Sequence, residues 1–307
     1  MIDIGTNSTR LMVADVADSR VSVVKRRSTV TRLGRGVDHS RQLSSEGIEA
    51  VCETIADYLR LIGDLAAEEI LVIATSAVRD AANGSAFVAE LRERFDLNAQ
   101  VIDGDEEARL TYLGCTSERD GDERLVVIDV GGGSTELVIG KGPDPLFHTS
   151  LQAGVVRHTE RMLASDPPTA SELEELSSDI HKLVSEALED QDLSEIDAAV
   201  AVAGTSTSLA SVDLELDPYD PLAVEGYLLP MTVIQHWLSQ LASMELEKRR
   251  QVVGLHPDRA GAIVAGIVIL IEVMRAFSLE EIEVSEHDIL YGGAIRAAAG
   301  LSADLPG

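Results

Sequence analysis

Asp3-Ile4-Gly5-Thr6-Asn7-Ser8-Thr9-Arg10-Leu11 and, 126 positions further on, Asp129-Val130-Gly131-Gly132-Gly133-Ser134-Thr135-Glu136-Leu137 carry the same residue at five of nine offsets: Asp, Gly, Ser, Thr and Leu. Each stretch stands where a short apolar strand runs into a turn of small residues and out again into a second strand. Around the first, Ile2 to Ile4, Arg10 to Val16 and Val21 to Lys25 read as a three-stranded meander; around the second, Leu125 to Asp129, Thr135 to Gly140 and Leu146 to Ser150 do so again. Helical spacing follows both times, first at Ile48, Val51, Cys52, Ile55, Leu59 and Ile62 behind the capping Ser44, later over Leu173 to Leu188. A pattern that restarts in this way is one fold written twice.

Strands alternating with helices make the chain α/β, with mostly parallel sheets, helices on their faces and antiparallel hairpins at one edge. The expected domains are 1–120 and 121–307, and the last helix, near 288–300, is a candidate to pack back on the first. At 307 residues the chain exceeds the length at which a single core usually stops growing.

Composition narrows the function. Asp and Glu number 53 against 25 Lys and Arg, a formal charge of −28, and aromatic residues are 3%. Long-range repulsion disfavours nucleic acid and anionic lipid, and a basic surface with aromatics for stacking bases is missing from the sequence. Two cysteines, Cys52 and Cys115, and no apolar leader argue for a cytoplasmic protein without a disulfide framework. The longest apolar run, Ala260 to Ile271, falls well short of the roughly 20 residues that span a bilayer. One segment reverses the charge: residues 20–41 hold seven arginines and lysines against Asp38 alone.

A carboxylate at a strand end followed by a glycine-rich turn offers free backbone N–H groups around one concavity, with an acid beside them to hold a cation. That chemistry suits phosphate with Mg²⁺. Gly132 and Gly133 let an anion approach the backbone, Ser134 and Thr135 add hydroxyls, and Asp129 and Glu136 are the hard oxygen ligands Mg²⁺ prefers. Asp103, Asp105, Glu106 and Glu107 crowd a strand-to-helix junction beyond what helix capping needs, as a group that activates water would. Ala74 to Arg79 ends another strand with two hydroxyls and a guanidinium, and Gly204-Thr205-Ser206 repeats the strand, glycine and hydroxyl theme at a helix start. Walker and dinucleotide-binding glycine motifs are missing, and the seven histidines show no zinc spacing.

Taken together, DIGTNSTR (3–10), RLGRG (32–36), ATSAVR (74–79), GDEEAR (104–109), DVGGGSTEL (129–137), GTS (204–206), DRA (258–260) and VSE (284–286) resemble, in order and spacing, the exopolyphosphatase and guanosine pentaphosphate phosphohydrolase (Ppx/GppA) family. The resemblance implies two RNase H-like domains of the actin, Hsp70 and sugar kinase superfamily, with the active site in the interdomain cleft. It implies Glu107 as the catalytic base, Asp129, Glu136 and Asp3 as ligands of Mg²⁺ (or Mn²⁺) or water, and Arg79 as a phosphate ligand. Gly5, Thr6, Asn7 and Ser8, with Gly131, Gly132, Gly133, Ser134 and Thr135, resemble the two phosphate loops, and Gly204, Thr205 and Ser206 are further phosphate-binding candidates.

The expected activity is Mg²⁺-dependent release of orthophosphate from inorganic polyphosphate. Guanosine pentaphosphate hydrolysis is the alternative, and a phosphate-ligand sensor or an actin-like ATPase or kinase is less favoured. Arg32 and Arg35 are expected to steer the polyanion, and family precedent implies a homodimer. Three departures stand out. The His-Asp helical region of longer relatives is missing, Met1 precedes Asp3 so closely that the first strand is expected to be truncated, and Asp105 stands where relatives commonly have Glu.

Overall fold

The computed structural model describes residues 1–300 except 19, 120, 122, 194 and 195. The chain divides into two units, Met1–Arg119 with the segment from His287 onward, and the stretch between them ending at Glu286. The return at His287 takes the last segment out of the second domain as expected from sequence, 121–307. The expected boundary residue 120 and the chain beyond 300 lie outside the described residues.

The first unit runs β1 (Ile2–Ile4), β2 (Ser8–Ala17), β3 (Arg20–Val30), α1 (Val37–Ser40), α2 (Ser45–Asp64), β4 (Val72–Ala74), α3 (Ser76–Asp80), α4 (Gly84–Phe95), β5 (Ala99–Val101) and α5 (Gly104–Thr116). The second runs β6 (Arg124–Val130), β7 (Thr135–Lys141), β8 (Asp144–Leu151), α6 (Val155–Met162), α7 (Ala170–Leu188), β9 (Ala198–Val202), α8 (Ala203–Asp213), α9 (Pro221–Val224), β10 (Tyr227–Pro230), α10 (Met231–Ala242), α11 (Leu246–Arg249), α12 (Ile263–Ala276) and β11 (Glu281–Val284). Then α13 (Ile289–Ala298) belongs to the first unit again.

The sheet of the first unit has the order β3-β2-β1-β4-β5, with β1/β2 and β2/β3 antiparallel and β1/β4 and β4/β5 parallel. The second sheet, β10-β11-β9-β6-β7-β8, repeats that order from β8 to β11 and adds β10 antiparallel at its edge. Both sheets are therefore mixed instead of mostly parallel. The meanders account for most of the difference, because a tight turn can only return a strand antiparallel; β10, reached through α8 and α9, adds one further antiparallel strand at the edge.

Side-chain alternation gives the first sheet two apolar faces. Leu11, Val13, Val72 and Ala74 join Val51, Cys52, Ile55 and Phe87 of α2 and α4 in one cluster. Met12, Leu71 and Ile73 face the opposite way, into a cluster with Leu110, Ile289, Leu290 and Ile295 of α5 and α13. Ser44 caps α2 by accepting from Gly47 N–H at 3.1 Å, as its place in the sequence predicts.

In the second unit Thr169 and Glu172 close a capping box on α7. Its buried stripe, Leu176, Ile180, Val184 and Leu188, contributes roughly 6–12 kcal/mol of apolar burial before conformational entropy is subtracted. Helix α12 is buried from Ile263 to Met274 on every side, so its apolar run is a core helix. Among the described residues no helix is long and apolar enough to cross a membrane.

Candidate functional site

The duplicated turns have the same local geometry. Gly5 N–H donates to Ser8 O at 3.0 Å, and Gly131 N–H donates to Ser134 O at 3.0 Å. In each unit a later segment then holds the turn by its carbonyls. Gly34 N–H donates to Thr6 O at 2.8 Å, while Thr31 and Arg32 N–H donate to Asn7 O at 3.1 and 2.9 Å. The start of α6 does the same in the second unit, with Val155 N–H on Gly131 O at 3.0 Å and Val156 N–H on Gly132 O at 2.9 Å.

Both contacts are too close for a side chain. A Cβ on Gly34 would stand 2.2 Å from Thr6 Cγ2, and one on Gly154 would stand 2.3 Å from Gly133 C. The RLGRG motif thus has a structural task, carrying Gly34 onto the first turn and leaving Arg32 and Arg35 exposed on the same loop. Among the described residues no acceptor meets the amides of Thr6, Asn7, Gly132 or Gly133, the groups an anion would use.

Beside the turns the ladders of the two copies differ in charge at one position. Asp3 pairs in register with Arg10, and Asp129 with Glu136. In the first unit the acid has its counter-charge, because Arg10 Nε and Nη2 donate to Asp3 Oδ2 at 2.9 and 2.6 Å. Asp3 Oδ1 is buried without a hydrogen-bond partner. Burial raises the Asp3 pKa above its usual value against the lowering effect of Arg10.

In the second unit two carboxylates 6% and 1% exposed occupy neighbouring strands, Glu136 Oε1 accepting from Ser150 Oγ at 2.8 Å. A buried pair of like charges costs stability unless a cation or a proton joins it. Carboxylate oxygens are the hard ligands that Mg²⁺ takes, and the buried Oδ1 of Asp3, in the first unit, is an oxygen of the same kind.

The acid cluster at the start of α5 is divided among tasks. Asp103 caps the helix, accepting from Glu106 N–H at 2.8 Å. Glu106 pairs with Arg296 of α13. Glu107 is buried and accepts from Arg79 Nη1 at 3.2 Å, the same nitrogen donating to Ile102 O at 2.8 Å. The structure thus brings together two residues that the sequence singled out separately, Arg79 and Glu107.

The hydroxyls of Ser206 and Thr207 turn inward, to Val202 O at 2.8 Å and Ala203 O at 2.9 Å, instead of outward toward a ligand. Thr205 is buried against Gly266 of α12. Thr135 Oγ1 is likewise engaged, with Ala153 O at 2.6 Å, and Thr6 Oγ1 with Ser76 Oγ at 2.7 Å. What these turns and α8 offer an anion is backbone amide, with Arg259 of the DRA motif near the start of α8, on Ser208 Oγ at 3.4 Å.

Sequence reasoning missed Asp288, which is buried and receives Arg10 Nη1 and, at 3.1 Å, Arg26 Nη2. Burial works to raise its pKa, but Arg10, Arg26 and the Leu290 N–H outweigh burial and hold it below the usual value. Its position directly before Ile289-Leu290-Tyr291 is a cap signal that could have found it, and it does cap α13. Arg26, counted above with a basic segment, is thereby partly a structural ion-pair partner.

Among the described residues Glu49, Cys52 and Glu90 lie close enough to share an ion, but Arg94 already bridges both acids at 3.0 and 2.9 Å. Burial raises the Cys52 thiol to about 11, far from a reactive thiolate.

The chain matches the Ppx/GppA phosphatase family over residues 12–293. Exopolyphosphatase 2 of Mycobacterium tuberculosis is 34% identical over 311 residues, which cover 97% of each chain. A solved exopolyphosphatase-like protein superposes with a TM-score of 0.92 at 31% identity, covering 98% of both chains. The Aquifex aeolicus Ppx/GppA family member superposes with a TM-score of 0.81 at 30% identity, covering 99% of this chain and 98% of its own.

Proposed function

Because the chain belongs to the Ppx/GppA phosphatase family, we propose that it is an exopolyphosphatase, hydrolysing the terminal phosphoanhydride of inorganic polyphosphate and releasing orthophosphate. The observation that carries this reading is the buried Asp129–Glu136 pair beside a turn of unmatched amides. An acid pair next to an anion-binding turn suits a phosphate that arrives with a cation.

In this mechanism the Gly5–Ser8 and Gly131–Thr135 turns hold phosphate oxygens through their amides. Glu107 takes a proton from a water whose oxygen bonds to the terminal phosphorus. The bridging P–O bond breaks, and the shortened chain leaves with the bridging oxygen. Arg79, hydrogen-bonded to Glu107, orients that carboxylate and lies at hand to offset phosphate charge. Asp129 and Glu136 would hold Mg²⁺ or Mn²⁺, which when bound neutralises charge on phosphate oxygens; Asp3, in the first unit, offers a carboxylate oxygen of the same class in Oδ1. Arg32 and Arg35, exposed on the loop that clamps the first turn, offset the overall −28 where a polyanion arrives. Two buried cysteines, neither in a disulfide, suit a cytoplasmic setting.

Phosphate release from medium-chain polyphosphate with Mg²⁺, beside guanosine pentaphosphate and ATP, tests the reading. Polyphosphate turnover that Glu107→Gln lowers by roughly 100- to 10,000-fold is expected. Turnover of guanosine pentaphosphate with polyphosphate untouched would replace the substrate, and no turnover of either would make the chain a sensor.

A further inference from the structure

Arg157 is buried, 8% exposed, in the first turn of α6, and its Nε donates to Gly133 O at 2.7 Å. With Val155 N–H on Gly131 O and Val156 N–H on Gly132 O, three successive carbonyls of the turn are captured by one short stretch of α6. A trans peptide points its C=O and the following N–H in opposite directions. Capturing the carbonyls of Gly131, Gly132 and Gly133 therefore aims the amides of Gly132, Gly133 and Ser134 together, away from α6. The first two carbonyls are held by backbone, which any residue supplies. The third is held by a side chain, and so depends on sequence.

We propose that Arg157 is a positioning residue for phosphate binding: through Nε it fixes the Gly133–Ser134 peptide so that the Ser134 amide joins those of Gly132 and Gly133 around a phosphate oxygen. The inference rests on the phosphate-binding reading of this turn but not on catalysis. Arg157 acts through the backbone, its Nε spent on Gly133 O.

Glutamine and methionine separate this role from a charge effect. The amide nitrogen of Gln stands the same number of bonds from the backbone as arginine Nε, so Arg157→Gln keeps the donor and loses the charge. Arg157→Met matches the Gln variant in reach, its Cε standing where Nε would, but has no donor. Inorganic phosphate is titrated into the full chain while the amide resonances of Gly132, Gly133 and Ser134 are followed, and KM and kcat for polyphosphate are measured on the same variants.

In the wild type all three amides are expected to shift. The Met variant should bind phosphate at least about 10-fold more weakly, with KM rising more than kcat falls, and the Gln variant should stay within about 3-fold of wild type. Equal losses in both variants would assign the effect to charge and overturn the proposal. So would an unchanged Met variant, or wild-type amides indifferent to phosphate, and the last holds even if the Met variant does not fold. Wild-type amides that respond to phosphate without polyphosphate turnover would refute the hydrolase reading and leave the role of Arg157 standing.

Discussion

Asp288→Asn removes, at the N-cap of α13, one charge and the acceptor of two guanidiniums. The carboxylate is 1% exposed, faces Arg10 and Arg26 through Oδ2, and accepts Leu290 N–H through Oδ1 at 3.0 Å. Asparagine keeps the volume and an oxygen for the helix cap, but puts an NH2 where Oδ2 stood, so both the charge and the acceptor facing two guanidiniums are lost. Breaking a buried pair costs about 3–5 kcal/mol. Arg10 retains Asp3 at 2.6 Å, which puts the expected loss at the lower end, about 3 kcal/mol. Asp288→Ala also removes the cap and should lose about 1 kcal/mol more.

Hydrogen exchange across Ile289–Ala298 under increasing urea reads this locally, since α13 packs on α5 and β2 of its own unit. The acid's folded pKa lies below 3.8, so the unfolded chain takes up the proton first. The stability Asp288 supplies is complete above that value and is lost as pH falls through the folded one. The Asn variant should lack that part of the acid slope. A loss below about 1 kcal/mol in Asp288→Asn, or an acid slope identical to wild type, would refute the reasoning.

Gly34→Ala forces a methyl to 2.2 Å from Thr6 Cγ2 and should cost about 1–3 kcal/mol with a raised KM; an unshifted melting temperature would count against the clamp. Neutralising Arg32 and Arg35 to Gln should raise KM and flatten its salt dependence while kcat holds, and an unchanged KM would remove their steering role. His158 is buried, and burial lowers its pKa below 6.5 against the raising effects of Gly154 and Asp179, so the unfolded state binds the proton first. Stability of the second unit should therefore decline as pH falls below 6.5, and His158→Gln should flatten that decline in urea melts.

The meanders and turns were legible because a strand-turn-strand unit writes its geometry locally, in small residues at fixed offsets. Helix α2 was legible through Ser44 and its apolar stripe. The length of β3 was not: the sequence reading ended at Lys25, yet the strand continues through Arg26 and Arg27 to Val30. Charged residues look like loop until pairing shows a purpose, and here Arg26 reaches Asp288 from 262 positions away. β10 escaped for a different reason: it is a four-residue edge strand ending in Pro230, defined by its antiparallel pairing with β11. Within the site, the residue types on the turns were readable. The choice between amide and hydroxyl was not, because Thr6, Thr135 and Ser206 spend their hydroxyls on partners that only folding supplies.

The split of the first unit around the second sets an order of assembly during synthesis. The second unit is one unbroken stretch with its own sheet and core, so it can finish folding before the chain is complete. The first cannot: Met12, Leu71, Ile73 and Leu110 wait for Ile289, Leu290 and Ile295. At about 5–20 residues per second, that wait lasts roughly ten to forty seconds. Throughout it the apolar sheet face that α13 helps to cover stays open to water.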